Sequence, residues 1–293
     1  MTGSTLVFGV INGGIYGLIA LGIVLVYRGS RVLNFAQGEI GTLGLYIAYM
    51  VEQEWGAPWI VGALAALVVA GAIGFGFWGL VVRPIADGDR MSVSVASIGL
   101  ISVLISFEFL RFGASPRMLP APISGQGVTI AGVIVSPTQV LSLVLTLVIG
   151  VSLAALLKRT DFGLGVLAAA QDAAAVRLVG VPLWRVQAFT WTSGAVLSTL
   201  AALLIEPSIG VFAPGFASEL FILGLAAALI GGLSSLPGAF LGGLVVGVVE
   251  ATVRQHTLTS SVPGLTTVAV FALIVAILLL RPQGLLGRKG ATA

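Results

Sequence analysis

Residues 13–46 read GGIYGLIALGIVLVYRGSRVLNFAQGEIGTLGLY, two apolar runs joined by a short polar break. The first run begins near residue 5 and reaches residue 27 without a charged side chain. A bilayer's hydrocarbon core takes about 20 helical residues, so a run of this length is a transmembrane helix. Lipid offers the backbone no hydrogen-bond partner, which leaves helices as the way to cross. Arg28 and Arg31 close the run, and Asn34, Gln37 and Glu39 follow before the apolar pattern resumes. The reading is therefore an all-α, polytopic membrane bundle in which at least one hydrophobic segment is interrupted.

The rest of the chain agrees. Of 293 residues, 58% are hydrophobic and 9% charged, and mean hydropathy is +1.13. Soluble domains carry about 25% charged residues, so this chain has too little polar surface to face water all round. Forty glycines suit close approach between membrane helices. The net charge of +3 is dispersed between apolar segments, which argues against nucleic-acid binding. With no cysteine and one histidine, His256, there is no thiol chemistry, disulfide framework or metal cluster to expect, and no cofactor is implied. Residues 1–5 lack a positive leader, so they read as the start of a mature span rather than a signal peptide.

Eight candidate spans cover residues 5–27, 36–51, 59–82, 92–112, 137–157, 186–205, 218–234 and 239–254, with 264–281 as a ninth. The segments 218–234 and 239–254 read either as two spans or as one re-entrant unit. Cations test the topology, because cytoplasmic loops are enriched in Lys and Arg. Arg28 and Arg31, Arg83 and Arg90, the group Lys158, Arg159, Arg177 and Arg185, and the group Arg281, Arg288 and Lys289 occupy alternate loops. Nine spans with the N-terminus outside put all of them in the cytoplasm, together with the C-terminus. Arg111 and Arg254 sit at the outer ends of spans, where long side chains snorkel.

Two interruptions stand out, 28–39 (RGSRVLNFAQGE) and 231–238 (GGLSSLPG). Broken hydrophobic segments in the two halves of a transporter point to its site, because a half-helix start exposes backbone donors. On this reading Asn34, Gln37, Gly38 and Glu39, with Gly231, Gly232, Ser234, Ser235 and Gly238, line a solute path; the alternative is ordinary tight turns. Gly9, Gly13 and Gly17 form one small-residue stripe, and Gly238/Gly242 and Gly243/Gly247 two more. They read as packing surfaces within the chain, the alternative being a subunit interface. Glu39 should face protein or water, whereas Glu108, Glu206, Glu219 and Glu250 read as solvated or capping residues near span ends.

The stretch 160–185 (TDFGLGVLAAAQDAAAVRLVGVPLWR) is too polar to span and too apolar for a loose linker. A helix is expected over 168–179, stopped by Gly180 and Pro182. Between glycine bends on the cytoplasmic side it suits a docking element, the alternative being an interfacial helix on lipid. No G-x-x-x-x-G-K-[ST] loop exists, since the only lysines are Lys158 and Lys289, and H-E-x-x-H and G-x-S-x-G are absent too. The chain is read as a non-enzyme with no catalytic residues.

These residues resemble the permease subunits of bacterial branched-chain amino acid ABC importers over nearly the whole chain. Residues 34–46 (NFAQGEIGTLGLY) are similar to the family's N-F-A-H-G-E-x-x-x-L-G-A-Y, and 168–180 (AAAQDAAAVRLVG) to its cytoplasmic coupling motif. Residues 226–250 and 281–286 (RPQGLL), with Arg83–Pro84 and 97–100 (SIGL), resemble further motifs in the same order. The Asn-Phe-Ala signature is that of the first of two paralogous permeases. Gln37 replaces a common His, Leu167 a common Arg and Ser234 a frequent Gly. The resemblance implies a single permease domain over 1–293 in the bacterial inner membrane. It implies as partners a paralogous permease, two cytoplasmic ABC ATPase subunits, a periplasmic binding protein and the lipid bilayer. It also implies ATPase contact through Gly163, Ala168, Ala170, Gln171, Asp172, Ala174, Arg177 and Gly180. Branched-chain amino acids, urea and short amides all remain open as solutes, and a passive channel for a small neutral solute is the rival of another class.

Overall fold

The computed structural model describes residues 3–85, 90–130, 132–171, 176, 182–260 and 265–287. Every one of the nine apolar segments folds as helix. In chain order the helices are α1 (Gly3–Ser30), α2 (Gln37–Tyr49), α3 (Trp59–Phe77), α4 (Arg90–Phe112), α5 (Pro137–Arg159), α6 (Asp161–Ala169), α7 (Leu183–Ile209), α8 (Phe216–Gly231), α9 (Leu236–Ser260) and α10 (Leu265–Leu280). Six are long and apolar enough to cross a membrane, namely α1, α3, α4, α5, α7 and α9, while α8 and α10 are shorter apolar helices.

α2 is also short, and it widens into a π-helical turn over Met50–Glu54. α3 widens likewise over Trp78–Val82 before a last turn at Arg83–Ile85. Pro84 has no N–H to give the preceding turn, which accounts for the loosened ladder there. Between α4 and α5, β1 (Val128–Ile130) pairs antiparallel with β2 (Val133–Val135), with Gly132 at φ 79°.

The chain divides into two compact units. One comprises Met1–Val24, Ile123–Val151 and Ile222–Ala293, and the other Leu25–Pro122 and Ser152–Phe221. In the first, α9 carries two glycine faces. Gly243 and Gly247 lie against Gly13 and Gly9 of α1, with a Cβ on Gly13 reaching 2.8 Å from the Gly243 oxygen. Gly238 and Gly242 lie against Gly231 and Ala227 of α8. The small-residue stripes are thus packing surfaces within the chain. α10 packs on α9.

In the second unit α2, α3 and α7 pack on one another and α4 joins against α2. Tyr46 stacks on Phe112 at 4.4 Å and meets Phe212 edge-on at 5.0 Å, in a core that also holds Ile40, Leu45, Ala66, Ala202 and Leu203. A second cluster joins Val26, Val32, Trp78, Val82 and Trp191. The most apolar window of α1 is 89% buried and that of α5 17%. A helix apolar on every side yet exposed is one whose solvent is lipid, so α5 belongs at the protein surface and α1 inside.

Candidate functional site

The first interrupted segment belongs to the second unit, where it builds the start of α2. The Asn34 side-chain oxygen accepts from the Ala36 N–H at 3.1 Å, and the Gln37 N–H bonds the Asn34 carbonyl at 3.3 Å. This Asx turn aims the chain into the helix without a side-chain cap on the first turn. The Phe35 N–H donates to Ser97 Oγ at 3.1 Å, which ties the Asn-Phe-Ala segment to the Ser-Ile-Gly-Leu stretch of α4. Gly38 is required by space, because a Cβ there would sit 2.7 Å from the Ala217 carbonyl oxygen. Asn34, Gln37 and Glu39 are all buried, as is Gly38. The Glu39 carboxylate accepts from the Ser218 hydroxyl. It lies in the first turn of α2, where the helix dipole favours a negative charge.

The second interrupted segment belongs to the first unit, as the turn between α8 and α9. Gly232 takes φ 100°, a conformation that glycine adopts freely. Ser235 begins α9 by accepting the Gly238 N–H on its Oγ at 3.1 Å, a standard N-cap bond. The carbonyls left over at the end of α8 are met by the C-terminal stretch. Leu285 N–H bonds the Ile230 oxygen at 2.7 Å and Leu286 N–H the Gly231 oxygen at 3.1 Å. The Gly-Gly…Pro-Gly and Arg-Pro-Gln-Gly-Leu-Leu motifs are therefore one local structure, a hairpin of helices with its tail folded onto the turn. Gly231, Gly232 and Gly238 are buried and Ser235 half-buried, while Ser234 is exposed.

Of the helix expected over 168–179, Ala168, Ala169 and Val176 are helical, Ala170 and Gln171 form a turn, and the remaining residues lie outside the described ones; a helix also precedes the alanines. α6 covers Asp161–Ala169, and Thr160 caps it by accepting the Gly163 N–H at 3.0 Å. Gly163 is not a bend but the point where α6 folds back on α5, since a Cβ there would overlap the main chain of Leu156 and Leu157. The helix ends in a turn at Ala170 and Gln171, whose geometry the helix propensity of a run of alanines did not disclose. Ala170 is buried and its carbonyl accepts from the Arg31 guanidinium. Ala168 and Gln171 are exposed, as are the apolar side chains of Phe162, Leu164 and Trp184. Asp172, Ala174, Arg177 and Gly180 lie outside the described residues.

The acidic residues correct the sequence reading. Glu108 and Glu206 are 0% exposed and Glu250 3%, so they are neither solvated nor at open helix ends. Glu206 accepts the Leu119 N–H at 3.1 Å, which anchors the strand-like stretch after α4 beside the end of α7. Glu250 pairs with Arg254 at 3.2 Å and accepts from the Tyr16 hydroxyl at 3.4 Å. Only Glu219 is exposed as expected. Position near a span end failed as a signal because other parts of the chain reach these carboxylates, the stretch at Leu119 for Glu206 and Tyr16 of α1 for Glu250.

Comparison with known proteins gives one consistent result. Residues 5–280 match the family model described as branched-chain amino acid transport system / permease component. The high-affinity branched-chain amino acid transport system permease protein BraD of Pseudomonas aeruginosa is 32% identical, over 97% of this chain and 95% of its own. Escherichia coli LivH, named likewise, is 29% identical over 96% and 94%. A probable LivH of Methanocaldococcus jannaschii is 25% identical over 95% and 90%. Among solved structures, a chain of PsaBC from Streptococcus pneumoniae in complex with Fab superposes with a TM-score of 0.54 at 11% identity. The match covers 94% of this chain and 91% of that one, a likeness of fold alone.

Proposed function

The chain belongs to the family of branched-chain amino acid transport permease components, and from that premise we propose that it is the membrane-spanning permease subunit of an ATP-driven importer of branched-chain amino acids. The observation that carries this reading is the full-length match to that family, with relatives named for that transport covered nearly end to end. The sequence holds no phosphate-binding loop, so partner subunits supply ATP hydrolysis. The working assembly pairs this chain with a paralogous permease, two cytoplasmic ABC ATPases and a periplasmic binding protein, in the inner membrane. The cation distribution supports an external N-terminus and a cytoplasmic C-terminus.

Within that assembly the start of α2, Asn34 to Glu39, is the wall of the solute path that this chain contributes. A buried helix start with polar side chains is costly in a membrane protein unless it serves a solute or an ion. The α6 stretch, with Ala168, Gln171 and the apolar Phe162 and Leu164 exposed, is the face offered to the ATPase. Tagging this chain and purifying it from native membranes tests the assembly. An ATPase and a second permease are expected to co-elute in fixed proportion. Elution of this chain alone, under conditions that keep it folded, would overturn the importer reading.

A further inference from the structure

Arg31, just past the end of α1, takes φ 58°, and among the described residues it is the one non-glycine residue with a positive φ. Glycine adopts that left-handed conformation freely and residues with a side chain rarely do. The Arg31 N–H closes the last turn of α1 by bonding the Tyr27 carbonyl at 2.8 Å. Glycine would make that cap with less strain, so what arginine adds here is its side chain. The guanidinium lies over the Tyr27 ring at 5.8 Å and donates to the carbonyl of Ala170. Ala170 is the C-cap of α6, where the last helix carbonyls lack partners and the dipole favours a cation.

We propose that Arg31 is a positioning residue that ties the end of α6 to the buried start of α2, so that the two shift as one piece. The inference rests on the reading of α6 as the face offered to an ATPase and of Asn34 to Glu39 as the wall of the solute path.

The two ends of α6 are held differently. Near its start, Gly163 folds the helix back on α5, and Phe162 meets Phe189 of α7 edge-on at 5.1 Å. Its far end is bonded through Arg31 to the break between α1 and α2. From Arg31 the main chain reaches Asn34 in three residues, a span of at most about 10 Å. Little slack is available on the way. Val32 packs in the cluster with Trp78, Val82 and Trp191, and the Phe35 N–H is fixed to Ser97 Oγ at 3.1 Å. Close-packed groups pass a displacement on rather than absorb it. An ATPase that moves α6 therefore moves the Ala170 carbonyl, Arg31 with it, and the segment at Asn34 in turn. All of these residues belong to the second unit.

Two measurements test the tie, both using Arg31→Gly, which suits the backbone at φ 58° and removes the guanidinium. In the chain alone, held in lipid nanodiscs, amide hydrogen exchange should quicken about tenfold over 164–171 and over 32–39 together. Quickening confined to 164–171 overturns the proposal. So does failure of Arg31→Gly to fold, since the residue would then hold the fold rather than position a segment. In the assembled complex Arg31→Gly should retain its ATPase subunits and hydrolyse ATP. Leucine imported per ATP should fall about tenfold, the scale of one charge-assisted hydrogen bond. Arg31→Lys, which can still donate to one carbonyl, should recover most of that loss. Unchanged import per ATP in Arg31→Gly overturns the proposal, and so does release of the ATPase, because Arg31 would then shape the docking face itself. A wild-type chain that holds no ATPase contradicts the importer reading instead, and the exchange measurement on the chain alone still decides the tie between α6 and α2.

Discussion

Gly231 and Gly238 approach so closely that a methyl group added to either would land on the main chain of the other. The α8–α9 hairpin therefore closes through backbone contact rather than side-chain packing, the geometry that small residues permit between membrane helices. Gly238→Leu must push the two helices apart. Overpacking typically costs about 1–3 kcal/mol, and backbone atoms cannot turn aside as a side chain can. The thermal unfolding midpoint in detergent is expected to fall clearly for Gly238→Leu. It should stay unchanged for Gly76→Ala, where nothing lies within 4 Å of the added carbon. Equal midpoints for both variants would contradict the hairpin geometry.

Phe212 locks the core of the second unit, 1% exposed and in edge contact with both Tyr46 and Tyr49. Its backbone also bridges to Arg117 through two bonds of 2.8 and 2.9 Å. Phe212→Ala leaves a cavity, and such truncations cost about 3–5 kcal/mol. Unfolding monitored by tryptophan fluorescence should shift accordingly, while Phe212→Leu should lose less than half as much.

Glu206 can be tested through its bond to Leu119. Glu206→Leu orphans a buried N–H and is expected to destabilise by about 1–3 kcal/mol. Glu206→Gln keeps an acceptor oxygen and should stay near wild type. An equal loss for both variants would show that the carboxylate charge, not the bond, matters there.

For the proposed docking face, Ala168 and Ala170 separate two effects that the sequence alone merges. Ala168 is exposed, so Ala168→Trp should leave the isolated chain folded and release the ATPase from the complex. Ala170 is buried under Arg31, so Ala170→Trp should lower the yield of folded chain itself. ATPase retention and ordinary transport in Ala168→Trp would remove this face from the interface.

Much of this was legible in the residues. The uncharged run over 5–27 and the apolar segments after it read as eight or nine helices, because lipid leaves the backbone little else to form. The glycine stripes were legible as packing faces because spacing of four fixes a helix side. Glu39 was legible too, as a carboxylate inside an apolar run. Glu108 was not. Its burial depends on the fold of 212–218 over the ends of α2 and α4, a long-range relation that no local pattern carries. The partnership of Leu285 and Leu286 with the end of α8 was hidden for the same reason. Within the helix expected over 168–179, the turn at Ala170 and Gln171 was missed, because propensity is a weak prior beside the bond that Arg31 makes to Ala170.

The most direct measurement is leucine uptake into proteoliposomes that contain this chain with the proposed paralogous permease and ABC ATPases, the proposed binding protein being added outside. Accumulation is expected only with ATP inside and binding protein outside, and none when this chain is omitted. Uptake that equilibrates without ATP, or that proceeds unchanged without this chain, would contradict its role as the permease of an ATP-driven importer.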